Sequence, residues 1–408
     1  MSAPLHTRRS VLTAALRGGT AVAGTALAAP ALARLLAATE ARAATTVDSL
    51  AAAAPRARFW ASSADPAVTC AACHGATPTG SPHAQPVVEC LLCARHCVIA
   101  DGQRGMCGAR MNVGGELRSL VYGRPMAVHV DPIEKKPFYH FLPGSQAWSL
   151  ATSGCPLRCS FCQNWQISQA RPEDYDTPFR APKEIAREAQ ARGTPVIAFT
   201  YNEPTVFTEY ALDIAVEAKK RGIRSVFVSC GYMNEAPLAA LLEVLSGVKI
   251  DLKGFSPAFY RNVVQAEIEP VKRSIRQVAR AGVHLEIVNL VIPTLNDDEA
   301  SLGDLARWVA GEIGPDTPVH FTRFHPEYRL TNLPPTPEAT LERAWAIARA
   351  AGLNYVYVGN VPGHPANDTT CPGCGATLIA RSGFFVVNNR IRQGACPQCG
   401  RKIPGVWV

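Results

Sequence analysis

Seven short runs of β-branched and aromatic residues, separated by amphipathic helical stretches, constrain the fold of this chain most strongly. The runs lie between residues 147 and 361, in the order AWSLATS, VIAFTYN, SVFVSCG, VKIDLKG, HLEIVNLVIP, VHFTRFHP and YVYVGNV. The helices predicted between them are Pro182–Arg192, Pro204–Arg221, Ala236–Ser246, Val271–Ala281 and Pro337–Ala351. Such alternation indicates an α/β protein with a parallel sheet, either open or closed as a barrel.

Polar side chains follow these strands at the edge where a barrel places its reactive groups. They are Cys155 after the first strand, Glu203 after the second, Cys230 after the third, Asp251 and Lys253 after the fourth, Asn289 on the fifth and His325 after the sixth. We predict that most of them gather around one site. Cys230 is unpaired and is interpreted as a buried core cysteine.

The loop after the first strand, SGCPLRCSFCQNW, contains Cys155, Cys159 and Cys162 at the spacing C-x3-C-x2-C. Thiolates are the usual ligands of iron–sulfur clusters, and three of them on a four-iron cluster keep one iron open for another ligand. A zinc knuckle with a distant fourth ligand is the alternative. The position of the loop at the catalytic edge favours the cluster.

Two further cysteine groups flank the predicted barrel. The chain has 14 cysteines among 408 residues, and their grouped spacing favours metal ligation over a disulfide framework. The N-terminal group is Cys90, Cys93, Cys97 and Cys107, which could hold a structural zinc or an auxiliary cluster. The C-terminal group is Cys371, Cys374, Cys396 and Cys399, two CxxC knuckles typical of a structural zinc or a rubredoxin-like iron.

Residues 1–44 have the features of a twin-arginine-type export signal. Arg8 and Arg9 precede an apolar stretch, and Ala41-Arg42-Ala43 offers a small-residue cleavage site. A disordered, alanine-rich leader is the alternative. Residues 45–87 are predicted to form a linker. The net charge of +8 comes partly from this leader, so it does not indicate nucleic-acid binding.

The linker contains CAACH, with Cys70, Cys73 and His74 at the spacing for covalent haem c attachment. Only fifteen residues separate His74 from Cys90, which is too few to bury a haem. Covalent haem is also normally added to an unfolded exported chain, in conflict with twin-arginine export. A redox pair, metal ligands or a loop without function are the alternatives.

The cysteine loop resembles the cluster motif of radical S-adenosylmethionine (radical SAM) enzymes. The resemblance implies a [4Fe–4S] cluster on which SAM chelates the open iron and is cleaved reductively to a 5′-deoxyadenosyl radical that abstracts hydrogen. TYNEPT stands where the family has a Gly-Gly-Glu-like motif, although it lacks the two glycines, and it implies that Asn202 and Glu203 meet the SAM amino group. DLKG and LVIPTLND resemble segments of glycyl-radical activating enzymes and imply that Asp251 and Lys253 lie beside SAM. His325 would contact the nucleoside or a substrate, with a structural role as the alternative.

From Glu89 to Val408 the chain resembles the AmmeMemoRadiSam system radical SAM enzymes. The quoted similarities are CLLCARHCVIADGQRGMCGARMN, LVYGRP, DPIEKKPFYHFLPGS and CQNWQISQ. We therefore expect an N-terminal Cys-rich segment (88–127), a partial (β/α)6-type radical SAM barrel (128–365) and zinc-ribbon-like C-terminal knuckles (366–408).

The expected reductant is a ferredoxin or flavodoxin, and the expected partners are Memo-type and AMMECR-type proteins or a protein substrate. The alternative functions are a glycyl-radical-enzyme activase and a multi-metal electron-transfer protein without SAM chemistry. The leader predicts the periplasm or cell envelope. The need for SAM makes the cytoplasm the alternative.

Overall fold

The computed structural model describes residues 47–63 and 87–408. The export signal predicted over residues 1–44 and the CAACH motif, with Cys70, Cys73 and His74, lie outside the described residues.

The centre of the molecule is an eight-stranded sheet. Its strands are β6 (Ala127–Pro132), β7 (Gln146–Ala151), β8 (Val196–Phe199), β9 (Arg224–Ser229), β10 (Gly247–Asp251), β11 (His284–Val291), β12 (Val319–Arg323) and β13 (Val356–Gly359). They follow one another in chain order across the sheet, with β6 and β13 at its two edges. Strands β7 to β13 are parallel, whereas β6 pairs antiparallel with β7. The predicted parallel α/β sheet with a partial barrel is therefore confirmed.

Six helices of eight or more residues connect the seven parallel strands. They are α1 (Pro182–Ala191), α2 (Thr208–Lys219), α3 (Glu235–Leu242), α4 (Ile268–Arg280), α5 (Glu299–Trp308) and α6 (Glu338–Ala350). Sequence analysis missed α5. An aspartate at the N-cap position, Asp298, is the sequence signal for its start. In the structure the Asp298 side chain accepts a hydrogen bond of 2.8 Å from the N–H of Ser301.

The segment 131–145 (DPIEKKPFYHFLPGS) covers the amino end of the sheet. The Glu286 carboxylate near the start of β11 accepts hydrogen bonds of 2.8–3.0 Å from the N–H groups of Tyr139 and His140. Burial alone would raise the pKa of Glu286, but hydrogen bonds from His284 and His320 hold it well below its usual range. The closed end therefore lies opposite the edge that carries the predicted site.

The N-terminal segment adds small sheets beside the barrel. Strands β1 (Trp60–Ser62), β2 (Val88–Cys90) and β3 (Val98–Ile99) form one antiparallel sheet, and β4 (Arg110–Val113) and β5 (Glu116–Ser119) form a hairpin. Residues 47–53 are helical. The linker predicted over 45–87 is therefore wrong for residues 47–63, because β1 gains its hydrogen bonds from β2, a partner that local composition does not reveal.

The C-terminal unit is a three-stranded antiparallel sheet of β14 (Thr369–Thr370), β15 (Thr377–Ser382) and β16 (Phe385–Asn389). It packs on the closing segment, where His140 Nδ1 lies 2.7 Å from the carbonyl oxygen of Pro404 and Arg381 Nη2 donates to the carbonyl of Tyr139 at 2.7 Å. No helix in the described parts of the chain has the length and apolarity needed to cross a membrane.

Candidate metal centre and active site

The cysteine loop leaves the carboxyl end of β7 through Gly154, which has φ +95°. A Cβ atom at this position would lie under 3.0 Å from the carbonyl oxygen of Cys107, so only glycine fits. The loop is held from two sides. Asn202 Nδ2 donates to the carbonyl of Gly154 at 2.9 Å, and Arg158 Nη1 donates to the carbonyl of Cys155 at 2.7 Å.

The donor set of this loop fits a polynuclear cluster. A single zinc ion with bonds of about 2.3 Å would hold its sulfur ligands about 4 Å apart. Within 47–63 and 87–408, the C-terminal knuckles are the one place where three or more ligand atoms all lie within 4.8 Å of one another. At least two of the sulfurs of Cys155, Cys159 and Cys162 therefore lie more than 4.8 Å apart, which a cluster accommodates because each thiolate binds a different iron.

Cys159 is buried, Cys155 and Cys162 are half-buried, and charged side chains lie near the loop thiols. Burial raises the pKa of Cys159 to about 11, and the Lys253 ammonium opposes that shift. Burial also raises the pKa of Cys155 well above its usual value, and the nearby Glu203 carboxylate adds to the effect. Because the thiolate is the ligand form, these thiols need a metal to ionise them.

Glu203 lies at the centre of a hydrogen-bond network after β8. Its Oε1 atom accepts from the Thr205 N–H at 3.1 Å and from the Ser229 hydroxyl at 2.7 Å, and its Oε2 atom accepts from the Cys230 N–H at 2.6 Å. The carboxylate thus joins the ends of β8 and β9. Asn202 and Glu203 are both buried beside the cysteine loop, and their contact with SAM stays a prediction.

Asp251 and Lys253 lie on the same side at the end of β10, as strand alternation predicts. Lys253 Nζ is 3.3 Å from Asp251 Oδ2 and 5.8 Å from the centre of the Phe161 ring, which lies between Cys159 and Cys162 in the loop. Sequence analysis missed Lys249, which also pairs with Asp251 from inside the sheet. The same alternation in VKIDL could have identified it. Contact of Asp251 and Lys253 with SAM stays a prediction.

Asn289 offers an unused polar atom next to this group. Its Nδ2 donates to the Leu252 carbonyl at 2.8 Å. Its Oδ1 is buried and has no hydrogen-bond partner among the described residues, so a bound ligand with a donor group would satisfy it.

Cys230 is buried near Cys155 and Glu203, whose charges raise its pKa beyond the shift that burial causes. His325 follows β12 and is exposed, and its predicted role stays untested.

The C-terminal knuckles bring Cys371, Cys374, Cys396 and Cys399 together. Their sulfurs lie 3.5 Å apart between Cys371 and Cys399 and 3.7 Å apart between Cys374 and Cys396. This is the spacing of a tetrahedral set around one ion, which confirms the predicted four-cysteine knuckle. Four thiolates leave no position for substrate.

A cleft of about 970 Å³ lies between β1 and the start of α3, and none of the three loop cysteines lines it. Its arginines are paired with carboxylates. The pairs are Arg56–Glu116, Arg58–Asp213 and Arg273–Glu235. Because these charges are already compensated, we assign the active site to the cysteine loop and not to this cleft.

Comparison with known proteins relates part of this chain to the radical SAM superfamily. The model of the radical SAM superfamily matches residues 149–306. An uncharacterized protein of Methanocaldococcus jannaschii is 43% identical over 318 residues, which are 78% of this chain and 95% of that protein. Pyruvate formate-lyase 1-activating enzyme of Escherichia coli is 23% identical over 223 residues, 50% of this chain and 89% of the enzyme. A solved radical SAM methyltransferase from Sphaerobacter thermophilus is 18% identical, with a TM-score of 0.43, 53% of this chain and 67% of that chain covered.

The superfamily match begins inside β7 and ends inside α5. It therefore includes the cysteine loop and the strands whose ends carry Glu203, Cys230, Asp251 and Lys253. The archaeal relative extends the similarity over most of the chain. We conclude that this chain belongs to the radical SAM superfamily, whose members are enzymes.

Proposed function

We propose that the chain holds a [4Fe–4S] cluster through Cys155, Cys159 and Cys162 and cleaves SAM reductively to remove hydrogen from a protein or small-molecule substrate. The cluster, when bound, would supply one electron to the SAM sulfonium, so that a C–S bond breaks to give methionine and a 5′-deoxyadenosyl radical able to abstract the hydrogen. The observation that carries this proposal is the three-cysteine loop at the carboxyl edge of the sheet, whose sulfurs do not all lie within 4.8 Å of one another.

The surrounding residues bind and orient in this proposal. Asn202 and Glu203 hold the ends of β7, β8 and β9 in place around the loop. Lys253 supplies a positive charge for the SAM carboxylate, and the Asn289 Oδ1 atom accepts from a donor on the bound molecule. The segment 131–145 covers the amino end of the sheet, opposite the site, and excludes water from that end.

A glycyl-radical-enzyme activase is the second candidate function. The similarity to pyruvate formate-lyase 1-activating enzyme favours it, since that name describes a protein that acts on another enzyme. The proposed electron donor is a ferredoxin or flavodoxin. Memo-type and AMMECR-type proteins, which the resemblance to the AmmeMemoRadiSam system implies, are the other proposed partners.

The test is anaerobic reconstitution with iron and sulfide, followed by SAM, dithionite and an assay for 5′-deoxyadenosine. The wild-type protein should form the nucleoside, and Cys159→Ala should not, while it keeps the metal of the C-terminal knuckles. Formation of the nucleoside by Cys159→Ala would contradict the ligand assignment. A wild-type protein that binds its clusters but never cleaves SAM would instead support the electron-transfer alternative.

The proposed compartment is the periplasm or cell envelope, because the leader combines paired arginines, an apolar stretch and a cleavage site. The cytoplasm is the alternative. Fractionation of cells that express the full chain, with and without Arg8→Lys and Arg9→Lys, would decide between them.

A further inference from the structure

The N-terminal cysteines form a second group beside the active-site loop. Cys90 and Cys97 lie on adjacent strands, where the N–H of Cys90 donates to the carbonyl of Cys97 at 2.9 Å. Cys93 forms a backbone bridge with Met233, and Cys107 contacts Gly154. Burial raises the pKa of Cys93, and charge on the thiols of Cys90, Cys97 and Cys107 raises it further. The four thiols therefore lie within electrostatic range of one another.

The spacing of this group differs from that of the C-terminal knuckles. In the part of the chain that the structure describes, only the knuckles bring three or more ligand atoms within 4.8 Å of one another. The knuckles therefore serve as an internal standard for a mononuclear site. No three sulfurs of Cys90, Cys93, Cys97 and Cys107 all lie within 4.8 Å of one another. A cubane accommodates such a wider set, because each thiolate binds a separate iron corner.

Arg110 provides an independent observation. Its side chain is 1% exposed, and its Nη2 atom donates to the Glu209 carboxylate. Its Nε and Nη1 atoms are buried without a hydrogen-bond partner among the described residues. Burial raises the pKa of Cys90 to about 12 and also raises that of Cys107, and the charge of Arg110 opposes both shifts. The charge of Arg110 thus acts on the thiols of Cys90 and Cys107, and an anionic centre bound by these thiols would give its two unpartnered donors an acceptor.

The second group also touches the loop of the active-site cluster. The carbonyl of Cys107 packs against Gly154, the residue before Cys155. Arg158, from within the loop, donates to the carbonyl of Met106, and Arg95 Nε donates to the carbonyl of Pro156 at 2.9 Å. The backbone segments that carry the two ligand sets are therefore in direct contact.

We propose that Cys90, Cys93, Cys97 and Cys107 bind an auxiliary [4Fe–4S] cluster whose sulfurs accept hydrogen bonds from Arg110. Four thiolates close this site, so it has no open iron for SAM. One electron from a ferredoxin-type donor, or from dithionite in the test below, reduces it from the 2+ to the 1+ state, and the same electron can pass to the adjacent cluster. That exchange, unlike the site itself, rests on the proposed function.

The decisive experiment counts metals in variants of the full chain after anaerobic reconstitution with iron and sulfide in the presence of zinc. The triple variant Cys155→Ala, Cys159→Ala, Cys162→Ala should still bind about four irons and four sulfides. Adding Cys93→Ala and Cys97→Ala to it should remove them. Cys399→Ser, the matched control, should lose zinc and keep the iron of both clusters. A triple variant that holds a second zinc and no iron would overturn the proposal.

A second measurement does not depend on removing ligands. Arg110→Lys keeps the charge opposite Glu209 but loses the Nε and Nη1 donors. It should retain the iron and shift the reduction potential of the auxiliary cluster to a more negative value, because hydrogen bonds to the sulfurs stabilise the reduced state. An unchanged potential would contradict the role of Arg110.

Electron paramagnetic resonance then tests the proximity of the two clusters. The dithionite-reduced wild-type protein should show spin–spin broadening that is absent from the triple variant and from the Cys93→Ala, Cys97→Ala variant. Two clusters without such interaction would overturn the adjacency. A failure of the proposed function looks different, because it would leave both clusters bound and coupled but SAM uncleaved.

Discussion

Replacing Gly154 with alanine tests whether the active-site loop depends on its contact with the N-terminal cysteine segment. The new Cβ would lie under 3.0 Å from the carbonyl oxygen of Cys107, a backbone atom that cannot rotate away as a side chain could. The left-handed conformation costs an alanine about 1–2 kcal/mol. Overpacking against rigid backbone adds about 1–3 kcal/mol. The expected loss in the free energy of unfolding is therefore about 2–5 kcal/mol.

Gly193→Ala is the matched control. Gly193 follows α1 with φ +65°, and an added Cβ would meet nothing within 4 Å. The control therefore carries the conformational cost alone, about 1–2 kcal/mol. Urea unfolding followed by circular dichroism under anaerobic conditions compares the two variants, and the same samples give their iron content.

The two variants should also differ in iron binding. Gly154→Ala moves Cys155 and Cys107 apart, so iron content should fall in both cysteine groups, whereas Gly193→Ala should bind iron like the wild type. Equal losses of stability in the two variants, together with a full iron content in Gly154→Ala, would refute the reasoning from the Cys107 contact.

Three further predictions concern the knuckles, the SAM-side residues and the closed end of the sheet. Cys399→Ser should lower both zinc content and the thermal midpoint, since a closed four-thiolate site contributes folding energy; lost catalysis at unchanged stability would contradict a purely structural role. Asp251→Asn and Lys253→Ala should keep wild-type iron content and cluster absorption but weaken SAM binding and lower the yield of 5′-deoxyadenosine, and wild-type behaviour of both would contradict their placement beside SAM. Burial lowers the pKa of His140 from 6.5 to about 3, so the unfolded chain binds a proton between those pH values that the folded chain does not. Stability should therefore fall as the pH drops from about 6.5 toward 3, by up to about 1.4 kcal/mol per pH unit from this residue; urea unfolding of His140→Phe across this range should show a shallower fall, and an unchanged slope would contradict it.

The features that the sequence alone determined are local in the chain. The three cysteines of the loop lie within eight residues, and strand periodicity at VKIDL places Asp251 and Lys253 on one side. The alternation of strands and helices limits the fold to a parallel sheet. Each helix returns the chain to the end of the sheet where the previous strand began, so the next strand runs in the same direction. The carboxyl-edge position of the cysteine loop could therefore be predicted, and the resemblance of that loop to a known cluster motif implied the superfamily.

The features that only the tertiary structure decided depend on residues far apart in sequence. Arg110 pairs with Glu209, 99 positions away, and its Nε and Nη1 atoms stay buried without a hydrogen-bond partner among the described residues. The carbonyl of Cys107 leaves no room for a Cβ atom at Gly154, and no local sequence pattern predicts that contact.

The two four-cysteine groups show this limit most directly. Both have ligand-like spacing in the sequence, where zinc and an iron–sulfur cluster were equally acceptable for Cys90, Cys93, Cys97 and Cys107. Ligand identity depends on the distances between sulfur atoms in space, and backbone packing sets those distances. The four sulfurs of the knuckles all lie within 4.8 Å of one another, whereas no three sulfurs of the N-terminal group do. The N-terminal cysteines lie on strands and turns that pack against the barrel loop, and this packing places their sulfurs.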